Sequence, residues 1–367
     1  MKRLTKLFLL CLCLAALSAC ALRGRGRATQ APAPATETPP PAQPAAPPAA
    51  DTPTSVPLAA QPAAPSPVSE PVIQAVQFKP GRNDYTIPLE GVQRKVIVYV
   101  PAGYDPQRPT PVVFMIHGSN QSGEVMYENT AWARKADQEN ILIVYPTSWK
   151  YRMLDSGRVE DKWNNAQMHR LVAPGTELKD DVRFMRLLLE YLKASFNVDA
   201  QRIYASGFSN GGNFVQTRLM PEMNDVFAAY AVAGSGIWLG EEYTDSLPTG
   251  IDASLYTIIG TNDAKVAEAT GASLPFPFQP AAIASDPFFS QLITNLTSML
   301  SLENSYTLQQ RPGSTVMVFD KSTAGAHNQW IFQMVNNIAH VYPNGENNKA
   351  GINASDLFWE FFQQYMK

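Results

Sequence analysis

Residues 202–212 read RIYASGFSNGG, and this stretch decides the fold. Its first half is a short run typical of a strand, and a helix-like segment begins at Asn210. Between them, Gly207 and Gly211 flank Ser209 in a Gly-x-Ser-x-Gly pattern. Glycines allow the strained angles and close packing that a sharp strand-to-helix turn needs, and such a turn exposes its serine hydroxyl. The stretch therefore predicts a nucleophilic serine at the carboxyl edge of a sheet.

Strand-like and helix-like segments alternate on both sides of this turn. The run 111–116 (PVVFMI) is continuously apolar, which predicts a central strand that is buried on both faces. The other predicted strands are 93–100, 141–145, 202–205, 228–232, 255–259 and 330–335; the predicted helices are 124–140, 182–196, one from Asn210 onward and a final one with the stripe Phe358, Phe361, Phe362 and Tyr365. This alternation predicts the α/β class, and with the serine turn the α/β-hydrolase fold: a mostly parallel central sheet covered by helices on both faces.

The composition excludes several classes of partner. The 29 basic and 32 acidic residues give a net charge of -3, so no strong positive field attracts nucleic acid or an anionic membrane. All three cysteines, Cys11, Cys13 and Cys20, precede the predicted fold, which therefore contains neither a disulfide nor a thiolate metal site. We expect no metal, no cofactor and no nucleic-acid partner.

The first 71 residues have the pattern of a targeting signal followed by a tether. Residues 1–19 combine a basic start, an apolar run and small residues, which predicts a signal peptide. The sequence 17–20, LSAC, is similar to a bacterial lipobox and predicts lipidation of Cys20, whereas an ordinary cleaved signal is the alternative. Residues 20–71 are rich in Pro and Ala and predict a disordered tether, followed by one catalytic-sized domain at 72–367. We expect an extracytoplasmic protein, secreted and lipid-anchored, that meets the membrane only through the lipid on Cys20.

A nucleophilic serine needs an imidazole to take its proton and a carboxylate to orient that imidazole. In this fold the three occur in the order Ser, acid, His. His340 lies between the last predicted strand and the terminal helix and is the favoured base, with His327 as the alternative. Asp263 follows the strand 255–259 and is the favoured acid, with Asp320 as the alternative.

Three further predictions concern the surroundings of the serine. Oxyanion donors are expected from the backbone N–H of Asn210 and from Ser119, in the loop after the strand 111–116. Trp163 is a candidate for stacking on a substrate, with burial as the alternative. The segment 264–310, which contains two phenylalanine-rich pieces, forms either a lid or substrate wall or a packed satellite of the core.

Several of these motifs resemble one family over most of the predicted domain, from about residue 86 to 366. They are HGSNQSG (117–123), WN (163–164), DDVRFMRLLLEYL (180–192), VDAQRIYASGFSNGG (198–212), GTND (260–263), HVYPNG (340–345) and GINASDLFWEFF (351–362). They are similar to motifs of the secreted polyhydroxybutyrate depolymerases and the feruloyl and acetyl xylan esterases. The resemblance implies a serine esterase that forms an acyl-enzyme on Ser209, uses His340 as base and acts on an ester substrate, polymeric in some members.

Three departures from the family pattern are visible, one of which is an insertion, because the family's loops are shorter than the segment 264–310. The paired cysteines that often follow the WN segment and a triple glycine before the histidine are absent here; Asn165-Ala166 and Asn337-Ile338-Ala339 stand in those regions. A serine peptidase of the same fold and a non-catalytic, ligand-binding surface lipoprotein remain the alternative functions. The motifs do not rank the candidate esters.

Overall fold

The structure, a computed structural model, describes residues 73–237, 248–323, 325 and 327–367. A ten-stranded sheet forms the centre of this part of the chain. The predicted signal peptide, Cys20 and the tether lie outside these residues. No helix among the described residues is both long and apolar enough to cross a membrane.

The strand order of the large sheet is β1-β2-β4-β3-β7-β8-β9-β12-β11-β10, and β5 and β6 form a separate hairpin. The six neighbours from β4 to β12 run parallel, and the flanking pairs are antiparallel. The strands are β1 Gly81–Leu89, β2 Val92–Val100, β3 Thr110–Ile116, β4 Leu142–Pro146, β5 Trp149–Arg152, β6 Val159–Lys162, β7 Val198–Phe208, β8 Ala229–Ala233, β9 Leu255–Gly260, β10 Thr307–Arg311, β11 Ser314–Phe319 and β12 Trp330–Val335.

Helices cover both faces of this sheet. Successive residues of the fully buried β3 enter two separate hydrophobic clusters: Val112 and Phe114 join one, and Val113 and Met115 the other. The first cluster contains residues of α4, α5 and α9, and the second contains residues of α1, α2 and α10. The helices are α1 Gly123–Asn129, α2 Trp132–Glu139, α3 Met168–Leu171, α4 Asp181–Ser195, α5 Asn210–Phe214, a π-helical turn Val215–Leu219, α6 Met220–Glu222, α7 Ala264–Thr270, α8 Pro280–Ser285, α9 Pro287–Met299 and α10 Ala354–Phe362. The predicted fold is therefore confirmed.

Two details differ from the prediction. The single helix expected at 124–140 is two helices, because Thr130 has extended backbone angles (φ -108°, ψ 157°) that end α1. The strands β1, β10 and β11 of the large sheet and the hairpin strands β5 and β6 were not predicted. The β10 sequence TLQQR is mostly exposed and lacks the apolar run that signals a buried strand.

The insertion 264–310 packs against the core. Phe276 and Phe289 are both buried in the first cluster, with ring centroids 5.2 Å apart, and Phe289 also contacts Phe332 of β12. The Phe276 N–H donates to the carbonyl of Thr261 at 2.8 Å. Of the two alternatives, this packing favours the satellite of the core, and it supports the loop after β9.

Candidate active site

The turn between β7 and α5 holds Ser209 in a strained conformation. Its φ of 52° and ψ of -121° lie outside the regions that non-glycine residues favour, at a cost of about 1–3 kcal/mol. Two backbone hydrogen bonds fix the turn: the Ser209 N–H donates to Ala233 at 3.0 Å, and the Ser209 carbonyl accepts from Asn213 at 2.9 Å. This is the sharp strand-to-helix turn that the sequence predicts.

The loop after β3 lies directly against this turn. A Cβ atom at Gly211 would be only 2.3 Å from the carbonyl oxygen of His117, so no side chain fits there. A Cβ atom at Gly118 would be 3.1 Å from the Cβ of Ser209. The missing side chains at Gly211 and Gly118 therefore allow the loop to reach the serine.

Three of the predicted residues form a continuous hydrogen-bonded chain. His340 Nε2 lies 2.9 Å from Ser209 Oγ, and His340 Nδ1 lies 2.8 Å and 3.0 Å from the two carboxylate oxygens of Asp263. A carboxylate only accepts, so the ring proton belongs on Nδ1, which leaves Nε2 to accept the proton of the serine hydroxyl. The structure thus brings together the serine, the histidine and the aspartate that the sequence favours.

The two segments that carry Asp263 and His340 pack directly against each other. A Cβ atom at Gly260 would be 2.1 Å from the carbonyl oxygen of Ile338, two residues before His340. That carbonyl also accepts from the Asn262 N–H at 3.0 Å. The loop after β9 and the loop after β12 are therefore joined by direct backbone contact.

The alternative residues His327 and Asp320 lie at the opposite end of the parallel strands from Ser209. Asp320 follows Phe319, which pairs with Trp330 at the start of β12, and His327 precedes that strand. Ser209 and Asp263 follow the carboxyl ends of β7 and β9, which run parallel to β12 in the same sheet. The sheet therefore separates both alternatives from Ser209.

The two predicted oxyanion donors belong to two segments that adjoin the serine. Asn210 is the first residue of α5, where backbone N–H groups lack partners within the helix. Ser119 follows Gly118 in the loop after β3, and its Oγ accepts from Lys162 Nζ at 2.9 Å. Asn210 directly follows Ser209, and Ser119 follows Gly118, which packs against Ser209. Their role as oxyanion donors stays a prediction.

Trp163 is buried, and this contradicts the predicted role in substrate stacking. The residue has no exposed surface, and its ring stacks on Phe214 with a centroid distance of 5.3 Å. Its indole N–H donates to the carbonyl of His117 at 2.8 Å, and its backbone N–H donates to the side-chain oxygen of Asn210 at 2.9 Å. Trp163 therefore connects the two segments that carry the predicted oxyanion donors, a role that its sequence context did not signal.

His117 is a buried, neutral histidine. Its Nδ1–H donates to the carbonyl of Gly118 at 2.6 Å, and its Nε2 accepts from the Ser148 N–H at 2.9 Å. Burial lowers the pKa of His117 from 6.5 to about 4. The ring therefore supports the loop after β3 in its uncharged form.

This burial predicts a loss of stability in mild acid. Below pH 6.5 the unfolded chain binds a proton on His117 that the folded protein excludes until the pH approaches 4. The stability that the neutral, buried His117 provides is fully present above pH 6.5. As the pH falls from 7 to 4, protonation of the unfolded chain lowers the free energy of unfolding by about 3 kcal/mol. Urea unfolding of the wild type and of His117→Gln across this pH range measures this loss of stability. The variant should be less stable at pH 7 but lose less stability on acidification, and equal slopes would contradict the prediction.

No group of three or more His, Cys, Asp or Glu side chains within the described ranges is arranged to hold a metal ion. The arrangement around Ser209 suits proton transfer and nucleophilic attack through side chains of the chain itself.

The described residues have the α/β-hydrolase fold. Residues 90–227, the segment that contains the serine turn and the loop after β3, match the family model Esterase, described as "Putative esterase". The matched segment ends before Asp263 and His340.

Three curated relatives fall in the classes that the motifs resemble. A bifunctional acetylxylan esterase/xylanase from Neocallimastix patriciarum is 26% identical over 181 residues, which cover 49% of this chain and 23% of that protein. Feruloyl esterase B from Piromyces equi is 28% identical over 41% of this chain and 25% of its own length. Poly(3-hydroxyalkanoate) depolymerase C from Paucimonas lemoignei is 26% identical over 38% of this chain and 30% of its own length. The predicted resemblance is confirmed, although the matches span less than a third of each relative.

Proposed function

We propose that this protein is a serine esterase that hydrolyses carboxylic esters through an acyl-enzyme on Ser209. The observation that carries the proposal is the chain of hydrogen bonds from Ser209 through His340 to Asp263, at 2.9 Å and 2.8 Å. The names of the curated relatives support an ester rather than a peptide as substrate. A binding module would have no use for a strained serine joined to an oriented imidazole.

In the first half of the reaction, Ser209 Oγ attacks the carbonyl carbon of the ester while His340 Nε2 takes the hydroxyl proton. The carbonyl oxygen becomes an oxyanion, which accepts hydrogen bonds from the backbone N–H groups of Asn210 and Ser119. Asp263 stabilises the imidazolium that forms. The intermediate then expels the alcohol, which takes the proton from His340, and leaves the acyl group on Ser209.

In the second half, water replaces the alcohol. His340 Nε2 accepts a proton from the water as its oxygen attacks the acyl carbon, and it returns that proton to Ser209 Oγ as the carboxylic acid leaves. Every proton is moved by His340, so the cycle needs no metal and no cofactor.

The acyl group belongs to the polyhydroxyalkanoate, feruloyl or acetyl type, in accordance with the relatives' names. We further propose that residues 1–19 are a signal peptide and that residues 20–71 tether the domain at 72–367 to a lipid on Cys20. Such an anchor would place the esterase outside the cytoplasm, where polymeric esters are accessible.

A fluorophosphonate probe tests the proposal, because it reacts with a serine only where the surroundings activate the hydroxyl. We expect one adduct per folded chain, observed by mass spectrometry, and no adduct on the Ser209→Ala variant. Ser285→Ala, which changes an exposed serine of α8, is the matched control and should label like the wild type. Labelling that survives Ser209→Ala would rule out the proposed nucleophile.

A further inference from the structure

We infer that Lys162 is a positioning residue that turns the side-chain hydroxyl of Ser119 into an additional donor to the oxyanion. This inference rests on the proposed function, since an oxyanion forms only if Ser209 attacks an ester. It adds a side-chain donor to the two backbone N–H groups and assigns a role to the hairpin of β5 and β6.

The hairpin holds the loop after β3 through two hydrogen bonds. Lys162 Nζ donates to Ser119 Oγ at 2.9 Å, and the Asn120 N–H donates to the carbonyl of Asp161 at 3.0 Å. Lys162 and Asp161 are neighbours at the end of β6, so they fix two consecutive residues of the loop. This double attachment restricts where the Ser119 side chain can go.

The direction of the Lys162 hydrogen bond determines where the Ser119 proton points. An ammonium group has three donors and no acceptor, so Ser119 Oγ is the acceptor in this contact. The hydroxyl proton must therefore point away from Lys162. Within the part of the chain that the structure describes, Ser119 Oγ has Lys162 Nζ as its side-chain partner, and its own proton remains available for a substrate atom.

Ser119 belongs to the piece of loop that packs against the nucleophile, which is where we infer that its hydroxyl meets the reacting carbonyl. Gly118, the preceding residue, packs so closely on Ser209 that its missing Cβ would lie 3.1 Å from the Cβ of the serine. The hydroxyl and the backbone N–H of Ser119 thus belong to the same short piece of loop beside the nucleophile. A hydroxyl that accepts from a cation is also a stronger donor, because its oxygen loses electron density.

The ammonium group of Lys162 forms an ion pair with Glu160 in a half-buried position. Glu160 lies 3.3 Å from Lys162 Nζ, and only 16% and 17% of the two side chains are exposed. The carboxylate offsets much of the long-range field of the ammonium. The effect of Lys162 on catalysis should therefore depend on its direct contact with Ser119 and not on its charge at a distance.

Steady-state hydrolysis of p-nitrophenyl acetate by the full chain tests the inference. Ser119→Ala keeps the backbone N–H and removes the hydroxyl, and we expect kcat to fall by about 100-fold with KM nearly unchanged, as for loss of one oxyanion donor. Lys162→Met should lower kcat by about 10-fold, and Lys162→Arg should restore most of it, because a guanidinium still donates to the hydroxyl. The matched control is Lys150→Met in β5, whose lysine is 66% exposed and should not affect kcat.

The double variant separates positioning from a general structural effect. If Lys162 acts through Ser119, the Ser119→Ala/Lys162→Met enzyme is no slower than Ser119→Ala alone. A kcat for Lys162→Met equal to that of the wild type, or losses that multiply in the double variant, would overturn the inference. If Lys162→Met does not fold, as judged by thermal unfolding, Ser119→Ala decides alone, and an unchanged kcat rejects the hydroxyl donor. Activity that persists in Ser209→Ala would instead reject the proposed function, so the two failures are distinguishable.

Discussion

Replacing His340 with alanine should lower kcat for a p-nitrophenyl ester by about 10⁵-fold or more, close to the effect of losing the nucleophile itself. The reason is geometric: His340 Nε2 lies 2.9 Å from Ser209 Oγ, and no serine hydroxyl attacks efficiently while it keeps its proton. KM should change little, because the imidazole acts on the proton and not on the bound ester. Steady-state kinetics with the folded variant, checked by its thermal unfolding midpoint, give the measurement.

His327→Ala is the matched control for this change. The histidine is exposed and lies at the start of β12, at the edge of the sheet opposite to Ser209. Its removal should leave kcat within a factor of about two, as for a surface substitution far from the site. Equal activities of the two variants would contradict the assignment of His340 as the base.

Asp263→Asn should lower kcat by about 10⁴-fold while the protein stays folded. The amide of asparagine can donate to His340 Nδ1, which favours the tautomer with the proton on Nε2. That tautomer cannot accept the proton of Ser209. The fold should survive, because Asp263 also caps α7 by accepting from the Val266 N–H at 2.9 Å, and asparagine caps helices equally well.

Asp320→Asn provides the comparison for this second variant. Asp320 is exposed and follows β11, whose end lies beside the start of β12. Its substitution should not change kcat. An Asp263→Asn enzyme with wild-type kcat would show that the carboxylate does not orient the base.

Local chemistry and chain order were sufficient to select the three side chains that the structure brings together. The turn at Ser209 has a strand before it and a helix after it, and both are readable from neighbouring residues. His340 follows the strand 330–335 and His327 precedes it, and parallel strands send their carboxyl ends to the same end of a sheet. Asp320 also follows a strand, and it lies away from Ser209 because β11 runs antiparallel to β12. Those rules need no knowledge of side-chain contacts.

Long-range packing was beyond this kind of inference. Trp163 stands in a polar stretch, so its complete burial depends on Phe214 and on the His117 carbonyl, which are distant in the sequence. The contact of Lys162 with Ser119 likewise joins residues 43 positions apart. Neither contact leaves a periodic pattern, because each is made by a single side chain.

The outermost strand, β10, has a consequence for the behaviour of the protein in concentrated solution. A strand at the border of a sheet exposes unpaired backbone groups that can recruit the same strand of another molecule. The sequence TLQQR keeps polar or charged side chains at four of its five positions, and all but the last residue are exposed. A partner molecule that paired there would have to dehydrate these side chains without burying an apolar face in return. The polar composition of β10, which prevented its prediction from the sequence, therefore also disfavours aggregation through pairing of β10 between molecules.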